Sequence, residues 1–462
     1  MAGNIKTNNS NVAPLSIPRE ERMNRGSLSM AWWAICSAMF WLVVAATLAM
    51  NFGTINALIG LALSVVTYGL INAVITRYAI KTGLSVALFS RVLFGKVGAS
   101  LATLIFFATA IYYSVFEGSV IAVAIQAYFP SLSLEMAYLV VVLYSVPLVF
   151  GSVQNWLDKF NGILLPFYIL GLIAAVAVSI NQYGYSDAWL NLGPEGGAPE
   201  NGWWNCFTYF MGVWILMMYT WDYARFGKED DSGFHAHVNF GMPFYLFTFM
   251  VNGVVGIFLA ATIPTEGGLS EVSVVLAILK LMGIWGLLFV WVSQTRINTA
   301  NFYLAAENMQ AFFERFGLSK IPRFGWAIVV GAIVYALMLM DVFSFILQAL
   351  AYQGIFVVAW VAIALAHIFS PKYEQLFDGH IECCPQRVTS FNPCGLIAWF
   401  SGAGLGIVIL NFGNASLALF SAPITFLVAF CAYLMLLNSA KHHWFVKESA
   451  NSSHEKPSSA GN

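Results

Sequence analysis

Charge is what this chain has least of. Only 9% of its 462 residues are Asp, Glu, Lys or Arg, 59% are hydrophobic, and mean hydropathy is +0.75. A soluble domain carries roughly 25% charged residues, because its surface has to meet water. The deficit excludes a soluble all-helical enzyme and leaves a polytopic membrane protein. Other absences narrow the class further. The first 29 residues are polar, rich in Asn, Ser and Arg, and lack the apolar core of a signal peptide, so the first apolar helix is expected to serve as the targeting signal. No phosphate-cradling Gly-rich loop, ATP-binding module or nucleophile motif is present, which argues against an ATP-driven pump. His235, His237, His380 and the Cys383-Cys384 pair match no metal-ligand spacing. Neither a metal nor any other cofactor is expected, nor is a nucleic-acid partner. Cys36, Cys206 and Cys431 fall in apolar helices, and Cys383, Cys384 and Cys394 lie in or beside one loop. No disulfide is expected.

What is present is a succession of long apolar runs. A bilayer core takes about 20 apolar residues per helix. On that ruler twelve spans are predicted, near 30–50, 54–77, 98–128, 136–151, 161–180, 204–224, 239–263, 283–306, 325–340, 344–368, 394–411 and 416–438. Residues 270–280 read instead as a short amphipathic helix outside the membrane. With the N-terminus inside, all but two of the 21 Lys and Arg fall on the inner side or in the tails, the exceptions being Lys280 and Arg296. This bias places both termini in the cytoplasm and suits a plasma membrane, the inner membrane of a bacterium. Residues 1–27 and 441–462 read as disordered cytoplasmic tails, 369–393 as a cytoplasmic loop, and 394–440 as two peripheral helices around a core at 28–368.

The core shows a weak internal repeat. The first span opens with "WWAIC" at 32–36 and the sixth with "WWNC" at 203–206. Five spans separate the two openings, an odd number, so a second five-span unit would be inverted relative to the first. Units at about 30–180 and 204–368 follow. Inverted repeats are a mark of secondary transporters, whose sites lie mid-membrane beside interrupted helices. Met211-Gly212 is an apt interruption in the sixth span; Cys36-Ser37-Ala38 is a less obvious one in the first.

Polar residues inside such spans are expensive and mark function. Glu117 lies in the third span, with Tyr113 one turn away on the same face. Its bland reading is a protonated carboxyl bonded between packed helices; substrate or proton handling is the functional one. In "SQTRINTAN", 293–301, Gln294, Asn298 and Asn301 stand at i, i+4 and i+7 and form one polar stripe beside Arg296. Amides present both donors and acceptors, which suits heterocycles with alternating N–H and C=O groups, although single amides also bind helices together. Glu117 and Arg296 are the two ionisable residues deepest in the spans and form a candidate charge pair. Asp222 and Arg225 read as a salt bridge at a helix end.

The motifs "KTGLSVALFSRVLFG" (81–95), "DYARFGK" (222–228) and "NTANFYLAAENM" (298–309) resemble the purine/cytosine permeases of the nucleobase–cation symporter family. The resemblance implies an all-α LeuT-type fold of 5+5 inverted repeats plus two C-terminal helices. It also implies secondary import of a nucleobase or related nitrogen heterocycle, such as a purine, cytosine or an allantoin-like ring. The family pattern would place a stacking aromatic at Tyr113, a polar partner at Glu117, a second covering aromatic at Trp214, and a recognising amide at Asn298 or Asn301. Two neighbouring hydroxyls that serve sodium in the family are not intact here, since Arg296 falls among those positions. A guanidinium there would supply the cation's charge permanently. The expectation is therefore a sodium-independent or proton-coupled importer, monomeric, with Glu117 as the titratable group. Glu117 has two candidate roles: carrier of a proton, or ionised acceptor for an amino group or ring N–H. Same-fold import of an amine-bearing molecule (amino acid, polyamine or vitamin) is the nearest rival reading, and intramembrane acid–base catalysis by Glu117 and Arg296 the more distant one.

Overall fold

The computed structural model describes residues 16–149, 153–265, 270–313, 318 and 320–447, with the backbone alone for 19, 153–164 and 342–343. Twelve helical spans follow one another along the described residues, with ends close to the expected ones. The first is split into α1 (Arg25–Trp33) and α2 (Phe40–Phe52). α3 (Thr54–Thr82) is followed by a helix that crosses between spans, α4 (Val86–Gly98). Then come α5 (Ser100–Tyr128), α6 (Leu134–Leu148) and α7 (Val153–Tyr183). The sixth span is split into α8 (Gly202–Met211) and α9 (Ile215–Ala224). The seventh, α10 (Glu229–Thr262), contains π-helical turns at His235–Asn239 and Leu246–Val251. A separate helix, α11 (Ser273–Met282), sits where an amphipathic helix was expected. The last spans are α12 (Ile284–Phe313), α13 (Arg323–Leu339), α14 (Ile346–Phe369), α15 (Pro393–Phe412) and α16 (Ser421–Asn438).

Among the described residues, seven unbroken helices are long and apolar enough to cross a membrane, and the bent first span makes eight. The remaining four deviate for identifiable reasons. α6 and α13 are apolar but only 15 and 17 residues long, α12 carries the polar stripe, and the sixth span is broken.

Buried apolar side chains gather into two cores. The smaller is built from α5, α6, α12 and α13, around residues such as Val115, Val141, Phe302 and Val330. The larger joins the other spans and takes in the opposite faces of α5 and α12, including Phe116, Phe289 and Val290. α5 and α12 thus have one face in each core.

The ends of the chain are tied down where tails were expected. The Met23 N–H donates to the Phe226 carbonyl (2.8 Å), and Ile17 N–H to Gly83 O (3.1 Å). Arg22 reaches Gly227 O at 3.2 Å and Glu229 at 3.7 Å. Residues 16–27 therefore belong to the folded body, correcting that boundary. Residues 1–15 and 448–462 lie outside the described residues. The motif at 81–95 is explained by the same end of the bundle. Gly83 turns the chain at φ +65°, Ser85 caps α4, and Asp222 Oδ1 accepts the Val86 N–H at 2.8 Å. Arg225 stands 3.9 Å from Asp222, the helix-end salt bridge expected there.

Close backbone approach fixes the sixth span against α14. A Cβ on Gly212 would lie 2.3 Å from the Leu350 carbonyl oxygen, and one on the facing Gly354 would lie 3.3 Å from the Gly212 backbone. Gly212→Ala should cost about 1–3 kcal/mol or more through overpacking, seen as a lowered melting temperature in detergent.

Candidate substrate cavity at two broken spans

Both interruptions leave backbone groups that lipid cannot satisfy, so protein must do it. In the first span, α1 ends, a 3₁₀ turn covers Ala34–Ser37, Ala38 is extended (φ −65°, ψ 128°), and α2 starts at an angle of 41° to α1. The less obvious break suggested by the sequence is thus a full hinge. Side chains from distant spans serve it. Asn252 Nδ2 donates to the Cys36 carbonyl at 2.8 Å, and Tyr168 holds the same amide by donating to Oδ1 at 2.9 Å. Gln294 Oε1 accepts the Met39 N–H at 2.9 Å. Arg296 Nη2 donates to Ser37 Oγ at 2.8 Å, while Ser37 donates to Ala34 O. The sixth span solves the problem internally: Val213, Trp214 and Leu216 N–H groups bond three residues back at 3.0–3.1 Å.

Between the two breaks lies a cavity of about 80 Å³. Four elements line it: Ile35, Ala38, Phe40 and Trp41 at the first break; Tyr113 and Glu117 on α5; Leu216, Tyr219 and Tyr223 on α9; and Ile297, Ala300, Asn301 and Leu304 on α12. On α5, α9 and α12 the lining residues stand at i, i+3, i+4 or i+7, one stripe per helix. The lining is largely aromatic and aliphatic, with Glu117 only 2% exposed. Two polar atoms of the lining residues have no hydrogen-bond partner among the described residues: Asn301 Nδ2 and the Tyr219 hydroxyl. Tyr219 stacks on Phe106, centroids 5.6 Å apart and planes 14° apart, which fixes its ring. Gln353 approaches the Tyr113 hydroxyl from behind at 3.5 Å. Phe40 closes one end through edge contacts with Tyr113 (5.3 Å) and Phe116 (5.0 Å). Towards the end of the bundle that holds both described termini, the cavity runs down to Tyr223 and Leu304.

The predicted residues divide. Tyr113, Glu117 and Asn301 come together in the cavity. Gln294, Arg296 and Asn298 are fully buried behind it. Gln294 donates from Nε2 to Glu117 Oε2, and Asn298 donates to Ser145 on α6 at 3.2 Å. The structure therefore places Asn301, not Asn298, at the cavity. The stripe misses for a geometric reason: the cavity face of α12 centres on Ile297 and Leu304, roughly 75° around the helix from the centre of the stripe. Trp214 is corrected: it packs against Tyr68 and Phe426, away from the cavity, because the break turns its side chain towards α3 and α16. The aromatics that the sixth span does contribute are Tyr219 and Tyr223, legible in principle as an i, i+4 tyrosine pair. No ion pair joins Glu117 to Arg296 among the described residues; Gln294 bonds Glu117 and Ser37 bonds Arg296 instead.

Two spans broken at corresponding positions, one cavity between them and a pair of C-terminal helices outside define an all-α LeuT-type fold of 5+5 inverted repeats. Among solved structures the chain is similar to Mhp1, a nucleobase-cation-symport-1 family transporter, in a closed conformation with bromovinylhydantoin bound. The TM-score is 0.71 at 15% identity, over 93% of this chain and 96% of that one. It is similar to the inward-facing conformation of Mhp1 at a TM-score of 0.70 and 14% identity, over 93% and 94% of the two chains. At these identities the likeness establishes the fold. No family model and no curated protein matches the chain.

Proposed function

We propose that this protein is a secondary active importer of a nucleobase or related small nitrogen heterocycle, working by alternating access in a plasma membrane, the inner membrane if bacterial. One observation carries the reading. An aromatic cavity at two helix breaks holds a carboxyl group, an unpartnered amide N–H and an unpartnered hydroxyl, at Glu117, Asn301 and Tyr219. A flat ring can lie against the tyrosines while its edge meets donors and acceptors. The bromovinylhydantoin in the similar Mhp1 structure is a heterocycle of this kind. Ala38, Phe40 and Trp41 bring the first hinge directly to the ligand, so occupancy of the cavity acts on the break.

Coupling is proposed to be independent of sodium. Arg296 from α12 reaches the carbonyl end of α1 through Ser37, the place where a helix favours positive charge. A fixed guanidinium there makes a bound cation redundant. Glu117 is the titratable group left to carry a proton with the substrate. The chain is proposed to act as a monomer.

The test is uptake into proteoliposomes of a labelled panel (cytosine, purines, uracil, allantoin, hydantoin), with and without sodium, in acidic and neutral outside medium. Uptake of at least one ring, unchanged by sodium and raised by acid outside, is expected. Absence of uptake for every ring, with uptake of an amino acid or polyamine, would replace the substrate class by the amine-bearing one.

A further inference from the structure

Gln294 lies on α12, fully buried, and both ends of its amide are engaged by different spans. Its Oε1 accepts from the Met39 backbone N–H at 2.9 Å, at the hinge of the first span. Its Nε2 donates to Glu117 Oε2 on α5. The orientation of this amide is not free. A backbone N–H only donates, so the carbonyl end must face Met39 and the NH₂ end must face Glu117. Glu117 Oε2 is then obliged to be an acceptor. That leaves Oε1 as the oxygen that can bear a proton or meet a ligand in the cavity lined by Glu117.

We infer that Gln294 is a positioning residue, which fixes the working oxygen of Glu117 and transmits the state of that carboxyl to the first hinge. The inference deepens the transport reading and rests on it for the ligand. The mechanical link between Glu117 and Met39 stands on its own. An ionised Glu117 makes a charge-assisted bond that pulls Gln294 towards α5. Protonation, or a ligand N–H donating to the carboxylate, draws charge off Oε2 and weakens that pull. The amide is then less polarised, its Oε1 accepts more weakly from Met39, and α2 is freer to turn about Ala38. Arg296 at Ser37 and Asn252 at Cys36 hold the carbonyl side of the break; among the described residues, Gln294 is the side chain bonded to the Met39 amide.

Cys36 provides a direct readout, because it is 0% exposed and sits inside the hinge turn. The experiment is peptide-resolved alkylation by N-ethylmaleimide of the full-length protein in membrane vesicles, with no substrate added. Buried Cys206 on α8 is the internal control. Gln294→Met, similar in size but unable to bond at either end, should label Cys36 about ten-fold faster than wild type, the scale of one hydrogen bond to a charged group. Cys206 should be unchanged. Glu117→Ala should do the same, and the double variant should label no faster than either single one, the signature of a shared link. A wild-type rate in Gln294→Met, multiplication of the two effects, or acceleration at Cys206 as well would overturn the inference. Since no substrate enters the measurement, failure of the proposed substrate class leaves its outcome untouched.

Discussion

Glu117→Gln should leave a folded protein whose uptake of amino-bearing heterocycles falls about 100-fold, the range of a lost hydrogen bond to a charged group. The substitution is isosteric, and its new carbonyl can still accept from Gln294 Nε2, so the tie to the first hinge is kept in its weaker, uncharged form. What changes is the face shown to the cavity. An NH₂ group replaces an oxygen that can be an acceptor or carry a proton. A ring that donates there meets donor against donor, while a ring that offers a carbonyl loses far less. Stimulation of uptake by acid outside should vanish as well, since no carboxyl group remains beside the ligand. Initial uptake rates for cytosine and uracil, each in acidic and neutral medium, check both parts. Unchanged rates for both rings in both media would remove Glu117 from recognition and from coupling.

Arg296→Ala should reduce transport at least about 100-fold in sodium-free medium, again the cost of a charged hydrogen bond deep in the protein. The lost group lies outside the cavity, so the defect should fall on maximal rate more than on half-saturating concentration. Adding guanidinium ion should restore part of the rate by refilling the space at Ser37 and the carbonyl end of α1. Arg296→Lys should keep an intermediate rate, because an ammonium supplies the charge without the planar fork. Full activity of Arg296→Ala without any added cation would show that the hinge needs no positive charge.

The fold was legible because membrane spans are written in long apolar runs, and the exceptions are instructive. Lys280 and Arg296 resisted the charge pattern, and the structure explains each differently. Lys280 ends the separate helix α11 and donates to Pro264 O at 2.6 Å; Arg296 serves the hinge. The breaks lie close to Met211-Gly212 and at Cys36-Ser37-Ala38. The site was legible only in part. Glu117 and Tyr113 stood out because an acid and its neighbour one turn away cannot hide in an apolar run. Asn301, Gln294 and Asn298 stood out equally, yet one faces the cavity, one faces the hinge, and one faces α6. Residue type marks that a polar group is buried; rotation of the helix by less than half a turn decides what it touches. Trp214 was misplaced for a related reason: a break resets the helical phase, so counting along the sequence loses its direction there.

The division of the buried side chains into two cores has a mechanical consequence. α5 and α12 each present one face to the small core they share with α6 and α13, and the other face to the remaining spans. Apolar packing has no directional preference, so the boundary between the cores resembles a slip plane, along which contacts can be exchanged without any one of them being broken at great cost. The bonds of Gln294 and Arg296 to the first span, by contrast, are directional pins set across that plane. Any sliding along that plane therefore has to stretch or exchange the directional bonds at Met39 and Ser37, whereas the oily surface between the cores resists it little.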